Sequence, residues 1–446
     1  MEYLLQTPVW PPLYTIQAPW RCARCDQSTP VVLLVAERYD ENYEGDLQRS
    51  EEELYPIGGL VVLVLTKLVD LPPGSLAAIQ RAAPGFRWGT RSDGGGCYMN
   101  HCGCGAVIED EELLDPAGPF ELASAEDVRA GRVTVSVLPA AGPAVLRCIA
   151  RASEAAERVH ATWWRSMLAD LLERLHHSAK PHAREHAAAL ARFIACLREA
   201  EEDLGWLNQG VEPPLPESEP AAGRLAPEPV PGAPRANFFV HDPVYVVAAE
   251  HACWKCEANS PVAGLVAERH HDISDGDDAP METYPVLLNT IEWMPPEVEH
   301  ALRGAAPGIR RDHSKTAQMS YFMNHCRACG ARFGDFFLTE VDGPFWAMSP
   351  EEFDRKRISF TVLPLRGTFG LRCGAIASDV LVWIHDHWCH RLLESLQRRL
   401  ERREDDESRS FAVAIEHLLG ELAYVFEEID VARTRVSQAH ASRGRK

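Results

Sequence analysis

No stretch of this sequence is apolar for long enough to cross a bilayer. The longest strongly apolar run, IGGLVVLVLTKLV at 57–69, carries Lys67 and falls short of the roughly twenty residues a spanning helix needs. The first twenty residues, MEYLLQTPVWPPLYTIQAPW, have no basic start, continuous apolar centre or small-residue cleavage site. They do not read as a signal peptide, and a cytoplasmic location is expected. Positive charge is also scarce: 45 Lys and Arg against 65 Asp and Glu give −20 at pH 7 with His neutral. Such a charge repels phosphate backbones and anionic lipid, which disfavours nonspecific nucleic-acid binding and a membrane partner. The motifs G-x-x-x-x-G-K-[ST], G-x-S-x-G, H-E-x-x-H and G-x-G-x-x-G are all missing, so the commonest nucleotide, hydrolase and metalloprotease signatures are excluded.

What is present begins with size. At 446 residues the chain exceeds what one hydrophobic core usually holds, so two or more domains are expected. Hydrophobic residues at 46% and charged residues at 25% are ordinary for a globular protein. Thirteen cysteines are many for a reducing compartment, where clustered thiols bind metal more readily than they form disulfides.

Laid on itself, the sequence repeats. Cys22, Cys25 and VAER at 35–38 align with Cys253, Cys256 and VAER at 266–269; YP at 55 aligns with YP at 284, and AAPG at 82 with AAPG at 305. Past the Met-Asn-His-Cys stretch, found at 99–102 and 323–326, the offset settles at 225: GPF at 118 meets GPF at 343, and Cys148 meets Cys373. Collinear matches on this scale predict a tandem duplication. Each copy divides again. β-Branched runs such as VVLLV, VTVSVLP and ISFTVLP between Pro and Gly turns read as strands. The period then changes to helical, with Val159, Trp163, Met167, Leu171 and Leu175 recurring every fourth residue and Ile384, Trp388, Leu392, Leu396 and Leu400 as counterparts.

The fold expected is therefore α+β: two copies, each a zinc-stabilised small β domain followed by a helical hairpin. The expected divisions are 1–150 and 237–374 for the β domains, 151–208 and 375–438 for the hairpins, 209–236 for a Pro-rich tether, and 439–446 for a basic tail.

The chemistry lies in the thiol pairs. C-x-x-C lets a tight knuckle turn present two sulfurs to one tetrahedral ion, and four thiolates close a structural zinc site. In the second copy Cys253 and Cys256 pair with Cys326 and Cys329, where Gly330 can take a left-handed turn. In the first copy Cys22 and Cys25 pair with Cys102 and Cys104, a C-x-C step one residue shorter; His101 or Cys97 is the alternative ligand. Two zinc ions per chain are expected. Asn100, Asn324, His101 and His325 are expected to orient the knuckles, by backbone hydrogen bonds or by donating toward a thiolate. A redox C-x-x-C would need a following helix to lower a thiol pKa, and turn and strand follow instead.

YFMNHCRACGARFGDFFLTEVDGPF at 321–345, with the upstream WKC pair, resembles a zinc-binding module of uncharacterised bacterial proteins, in which C-x-x-C is followed by NHC-x-x-CGA-x-x-GDFFL and a GPF turn. The resemblance covers the β half of each copy and implies zinc binding without a reaction. The first copy departs from it, with Glu111 and Glu112 in place of Phe336 and Phe337.

Three function classes follow. A noncatalytic interaction protein fits the closed ligand sets and the acidic balance. Its expected partner is a protein, docking on the second β domain near Phe336, Phe337 and Trp346, because binding energy concentrates on aromatic residues. Phe336 and Phe337 are expected in adjacent strand positions, where only one can point inward and the other needs cover from the hairpin or a partner. A nucleic-acid binder is the alternative raised by GIRRDHSK at 308–315, and an enzyme is the one raised by HHD at 270–272 and the matched His160 and His385 between the copies. Each of these two histidines is expected to pack on the Trp three residues on, with Glu37/Arg38 and Glu268/Arg269 as ion pairs at strand ends. Oligomeric state has no signal in the sequence.

Overall fold

The computed structural model describes residues 5–39, 62–120, 123–138, 144–180, 182–209, 213, 234–273, 281–364, 367–403 and 405–443. The first series of elements is β1 (Leu5–Arg21), β2 (Ser28–Tyr39), β3 (Leu63–Thr66), α1 (Pro73–Ala82), β4 (Arg87–Thr90), β5 (Gly96–His101), β6 (Val107–Ile108), α2 (Asp110–Leu114), α3 (Ala125–Arg129), β7 (Thr134–Leu138), β8 (Ala144–Ala152), α4 (Glu154–His177) and α5 (Ala183–Asn208). The second is β9 (Phe238–Ala252), β10 (Asn259–Asp272), β11 (Val286–Trp293), α6 (Pro296–Ala305), β12 (Arg310–Ser314), β13 (Met319–His325), β14 (Arg332–Phe333), α7 (Asp335–Thr339), α8 (Pro350–Lys356), β15 (Ser359–Val362), β16 (Thr368–Ala377), α9 (Asp379–Glu401) and α10 (Asp406–Arg443). Strands come first and long helices last in both series, an α+β arrangement.

Two five-stranded antiparallel sheets carry the cores. Their orders, β2-β3-β8-β1-β7 and β10-β11-β16-β9-β15, are the same once the numbers are matched, and the extra pairings β1–β2 and β9–β10 close four strands of each into a ring. Long first strands make this possible. Leu5–Val9 of β1 pairs with β8 and Leu13–Gln17 with β7, with a register shift against β2 between Trp10 and Leu13. Every residue from Val31 to Glu37 of β2 is buried. Both faces of that strand are thus covered, which is why its sequence is continuously apolar rather than alternating. Helix α1 packs Ile79 among Val9, Leu34, Leu65 and Leu146, and α6 packs Val298 and Leu302 among Val240, Leu265, Leu288 and Leu371. The small sheets β4-β5-β6 and β12-β13-β14 carry the Met-Asn-His-Cys stretches.

The compact units do not follow the order of the chain. One comprises residues 1–174 with 396–424, the other 175–395 with 425–446. The hairpins expected at 151–208 and 375–438 are thus each divided: α5 belongs to the second unit, and α10 up to Tyr424 to the first. Within the first unit, Arg174 of α4 holds Glu407 of α10 through its two terminal guanidinium nitrogens, at 2.8 and 2.6 Å. Helix α10 continues to Arg443, into the expected tail. Apart from residues 209, 213 and 234–236, the expected tether lies outside the described residues. Among the described residues no helix is long and apolar enough to cross a membrane.

Candidate metal centres

Each first knuckle is a turn between two long strands. In the first unit Cys22 N donates to Gln27 O at 3.0 Å and Asp26 N to Cys22 O at 2.8 Å; in the second, Cys253 N reaches Ala258 O and Glu257 N reaches Cys253 O at the same distances. The second knuckles differ by the missing residue. Gly330, in the left-handed region at φ 72°, donates to Cys326 O four residues back, whereas Gly105, at φ 83°, donates to Cys102 O three back. Glycine tolerates that conformation without a Cβ clash, and the C-x-C step is absorbed by a turn one residue tighter.

Both turns bring four sulfurs together. Cys22 lies 3.7 Å from Cys104 and Cys25 3.5 Å from Cys102; Cys253 lies 3.6 Å from Cys329 and Cys256 3.6 Å from Cys326. A tetrahedral ion with metal–sulfur bonds of about 2.3 Å has sulfur–sulfur edges of about 3.8 Å. Both four-cysteine clusters could therefore hold a metal ion, and both are compatible with zinc. Cys97 is buried at the middle of the short sheet and His101 turns away, so neither alternative ligand is recruited.

Thiol acidity is divided within each cluster. The Ser260 hydroxyl, followed by the Cys329 backbone, pulls Cys326 down to about 5; the backbone at Arg24 and Cys25 brings Cys22 to about 7. Against a lowering contribution from the Ala258 backbone, the Cys329 sulfur and burial push Cys256 up to about 12, and Cys25 rises likewise to about 12 against the Gln27 backbone. Crowded sulfurs cannot all ionise without a cation among them. Ser260, 3.4 Å from Cys326 Sγ and accepting from Arg327 N at 3.1 Å, is a supporting residue the motif does not flag. Its only signal is its place just after the first knuckle.

Of the two roles expected for the Asn and His residues, the structure shows backbone bonding. The Asn100 carboxamide accepts from Val32 N and donates to Val32 O, both at 2.9 Å; Asn324 does the same to Ala263. Each therefore pins the knuckle strand to the large sheet. His101 Nδ1 meets Gly85 O and Met99 O, and His325 Nδ1 meets Gly308 O and Met323 O, while His325 Nε2 meets Asp312 Oδ2 at 3.1 Å. Here the repeated AAPG finds its reason: a Cβ on Gly308 would overlap the His325 carbonyl.

Phe336 and Phe337 are in the short helix α7, not in a strand, and both rings are exposed, at 66% and 62%. Trp346 is half-buried. The Asp found in both units just before these positions does something else: Asp335 accepts from Thr290 N at 2.6 Å and Asp110 from Lys67 N at 2.9 Å, holding those two non-glycine residues in left-handed conformations at φ 43° and 52°. Burial, outweighing these bonds, pushes both carboxyls up to about 6. In GIRRDHSK, Asp312 is engaged by Arg332 and His325, and in HHD, His270 Nε2 meets Glu282 at 2.9 Å and its ring stacks on Phe238.

A third cluster has no sequence signature. Glu37 (β2), His160 (α4) and His417 (α10) come together in the first unit, with Tyr14 (β1) beside them. His160 Nε2 is 3.0 Å and His417 Nε2 3.2 Å from Glu37 Oε1; Tyr14 Oη donates to Glu37 Oε2 at 2.9 Å. The expected packing on Trp163 is present, ring centres 5.4 Å apart, but the strand-end role for Glu37 is not: its carboxylate faces the histidines. Glu268 likewise faces His385 at 3.4 Å, and Arg269 instead reaches Met281. Burial outweighs Glu37 and pushes His160 toward the neutral imidazole. His417 belongs to no motif; the aligned position in the second unit is Arg192, which bonds Asp386 and feels the charge of Glu268.

Comparisons with protein-family models, curated proteins and solved structures return no match.

Proposed function

We propose that the chain is a noncatalytic, zinc-binding interaction protein built by duplication of one module, with one structural zinc at Cys22, Cys25, Cys102 and Cys104 and another at Cys253, Cys256, Cys326 and Cys329. Four thiolates leave no open coordination position, which is the pattern of structural rather than catalytic zinc. The observation that carries the interaction role is an asymmetry of exposed rings. The second unit exposes Trp254, at 74%, together with Phe336 and Phe337, where the aligned residues of the first are Ala23, Glu111 and Glu112. Trp254 is held in place, its Nε1 donating to Arg332 O at 3.1 Å, two residues before the N-cap of α7. Exposed, positioned aromatics are where a protein partner gains most affinity.

A photoreactive residue at Phe337, with Glu112 as control, tests this reading. A single protein species crosslinked only from 337 supports it. Equal labelling from both positions, or nucleic acid as the crosslinked species, overturns it. Metal content of two zinc equivalents held by the cysteines is the companion result expected.

A further inference from the structure

We propose that Glu37, His160 and His417 form a third metal site, for one divalent first-row transition ion, inside the first unit. The three residues are buried, at 5%, 3% and 6% exposure, and one ligand atom from each lies within 4.8 Å of the others. With metal–nitrogen and metal–oxygen bonds of about 2.0 Å, tetrahedral ligand edges are about 3.3 Å. The observed edges to Glu37 Oε1, 3.0 and 3.2 Å, match.

A second observation points the same way. Glu37 Oε1 and His160 Nε2 are fully buried polar atoms that face each other, yet neither makes a hydrogen bond of acceptable geometry among the described residues. Such atoms are costly without a partner, and a cation bound between them would satisfy both at once. The Tyr14 hydroxyl, 3.0 Å from His417 Nε2 and completely buried, places a fourth donor atom near the same point and steadies Glu37 through Oε2.

The second unit supports the charge argument. Its aligned residues are Tyr245, Glu268, His385 and Arg192: the carboxylate, imidazole and phenol are kept, and a permanent guanidinium charge stands where His417 does. Asp386, aligned with Ala161, takes up part of that charge, accepting from Arg192 Nε at 3.2 Å. One unit carries its cation covalently, and the other is built to bind one. Two imidazoles and a carboxylate suit zinc, iron(II) or manganese(II), not a thiolate-seeking ion such as copper(I). The site joins β2, α4 and α10, so the ion fixes the helix that the second half of the sequence lends to this unit. With the tyrosine closing it, its role is structural.

The test loads the full-length chain with zinc under reducing conditions and counts bound metal, then repeats the count with cobalt(II), whose thiolate charge-transfer bands report only the cysteine sites. Wild type is expected to hold three zinc equivalents, H417Q and E37Q two each with undiminished thiolate bands, and C326S two with the bands roughly halved. Wild type saturating at two equivalents, or H417Q and E37Q retaining the wild-type number, overturns the site. Loss of the thiolate bands in wild type would instead count against the cysteine centres.

Discussion

Arg192 of α5 donates through Nε to Asp386 Oδ1 of α9 at 3.2 Å, within the second unit. Neither residue has its like in the first unit, where His417 and Ala161 take the aligned positions. The two differences balance: a fixed cation stands with an extra carboxylate, and the imidazole stands without one. The pair is only partly buried, with the Asp386 side chain 36% exposed, so loss of the guanidinium is screened and R192A should lower the stability of the second unit by about 1–2 kcal/mol. Replacing both partners is different. R192H/D386A recreates the Glu–His–His set around Glu268 and His385, and the doubly substituted chain is expected to bind one metal equivalent more than wild type by elemental analysis. An unchanged count would show that the ligand set alone does not make the site.

Cys326 and Cys373 separate clustered thiols from core thiols. Cys326 sits in the sulfur cluster, whereas Cys373 is buried among Leu371, Val240 and their neighbours, where burial pushes its thiol well up. A structural zinc contributes on the order of 10 kcal/mol of apparent folding energy. C326S should therefore lose one zinc equivalent and the cooperative melting of the second β domain, while C373S loses about 1–2 kcal/mol for a hydroxyl in an apolar core. Equal melting temperatures would contradict the ligand assignment.

Asp110 makes stability depend on pH with a defined sign. Its carboxyl is raised from 3.8 to about 6, with burial the main cause. Folding favours the protonated form, so its stabilising contribution is complete below pH 4 and is lost as the pH rises through about 6. The loss is at most about 3 kcal/mol for a rise of that size. D110N keeps an oxygen for Lys67 N and has no charge to bury. The melting-temperature difference between D110N and wild type should widen in favour of the variant from pH 5 to pH 8; a constant difference would place the charge cost elsewhere.

Much of this architecture is legible in the residues. Thiol pairs advertise themselves by spacing, and Trp163 and Trp388 mark the helical stripes because burial repeats with the helical period. The assignment of helices to units is not legible: a hairpin's apolar face states that it must be covered, not by which sheet. Glu37, His160 and His417 are drawn from positions nearly four hundred residues apart, and each alone looks like an ordinary polar residue. Phe336 and Phe337 mislead for a local reason. GDFFL has strand-like aromatics, yet Gly334 and the half-buried Asp335 start a helical turn there, and that turn exposes both rings.

Asn324 offers the sharpest distinction between holding a strand and tuning a metal. Its carboxamide makes two hydrogen bonds to Ala263, at 2.9 Å each, and so spends its donor and its acceptor on backbone rather than on sulfur. N324A would leave both Ala263 backbone groups buried without these partners, each costing about 1–3 kcal/mol. A large fall in the melting temperature of the second unit is expected. Zinc affinity of the folded protein should change little, since the knuckle's own bonds, Cys326 N to Ala331 O and Gly330 N to Cys326 O, do not involve Asn324. Residues that orient metal ligands behave otherwise, their loss typically weakening metal binding about 10–100-fold. Chelator competition well below the melting temperature separates the two: matched zinc release from N324A and wild type fits a strand pin, and faster, weaker binding in N324A would make the asparagine part of the metal centre.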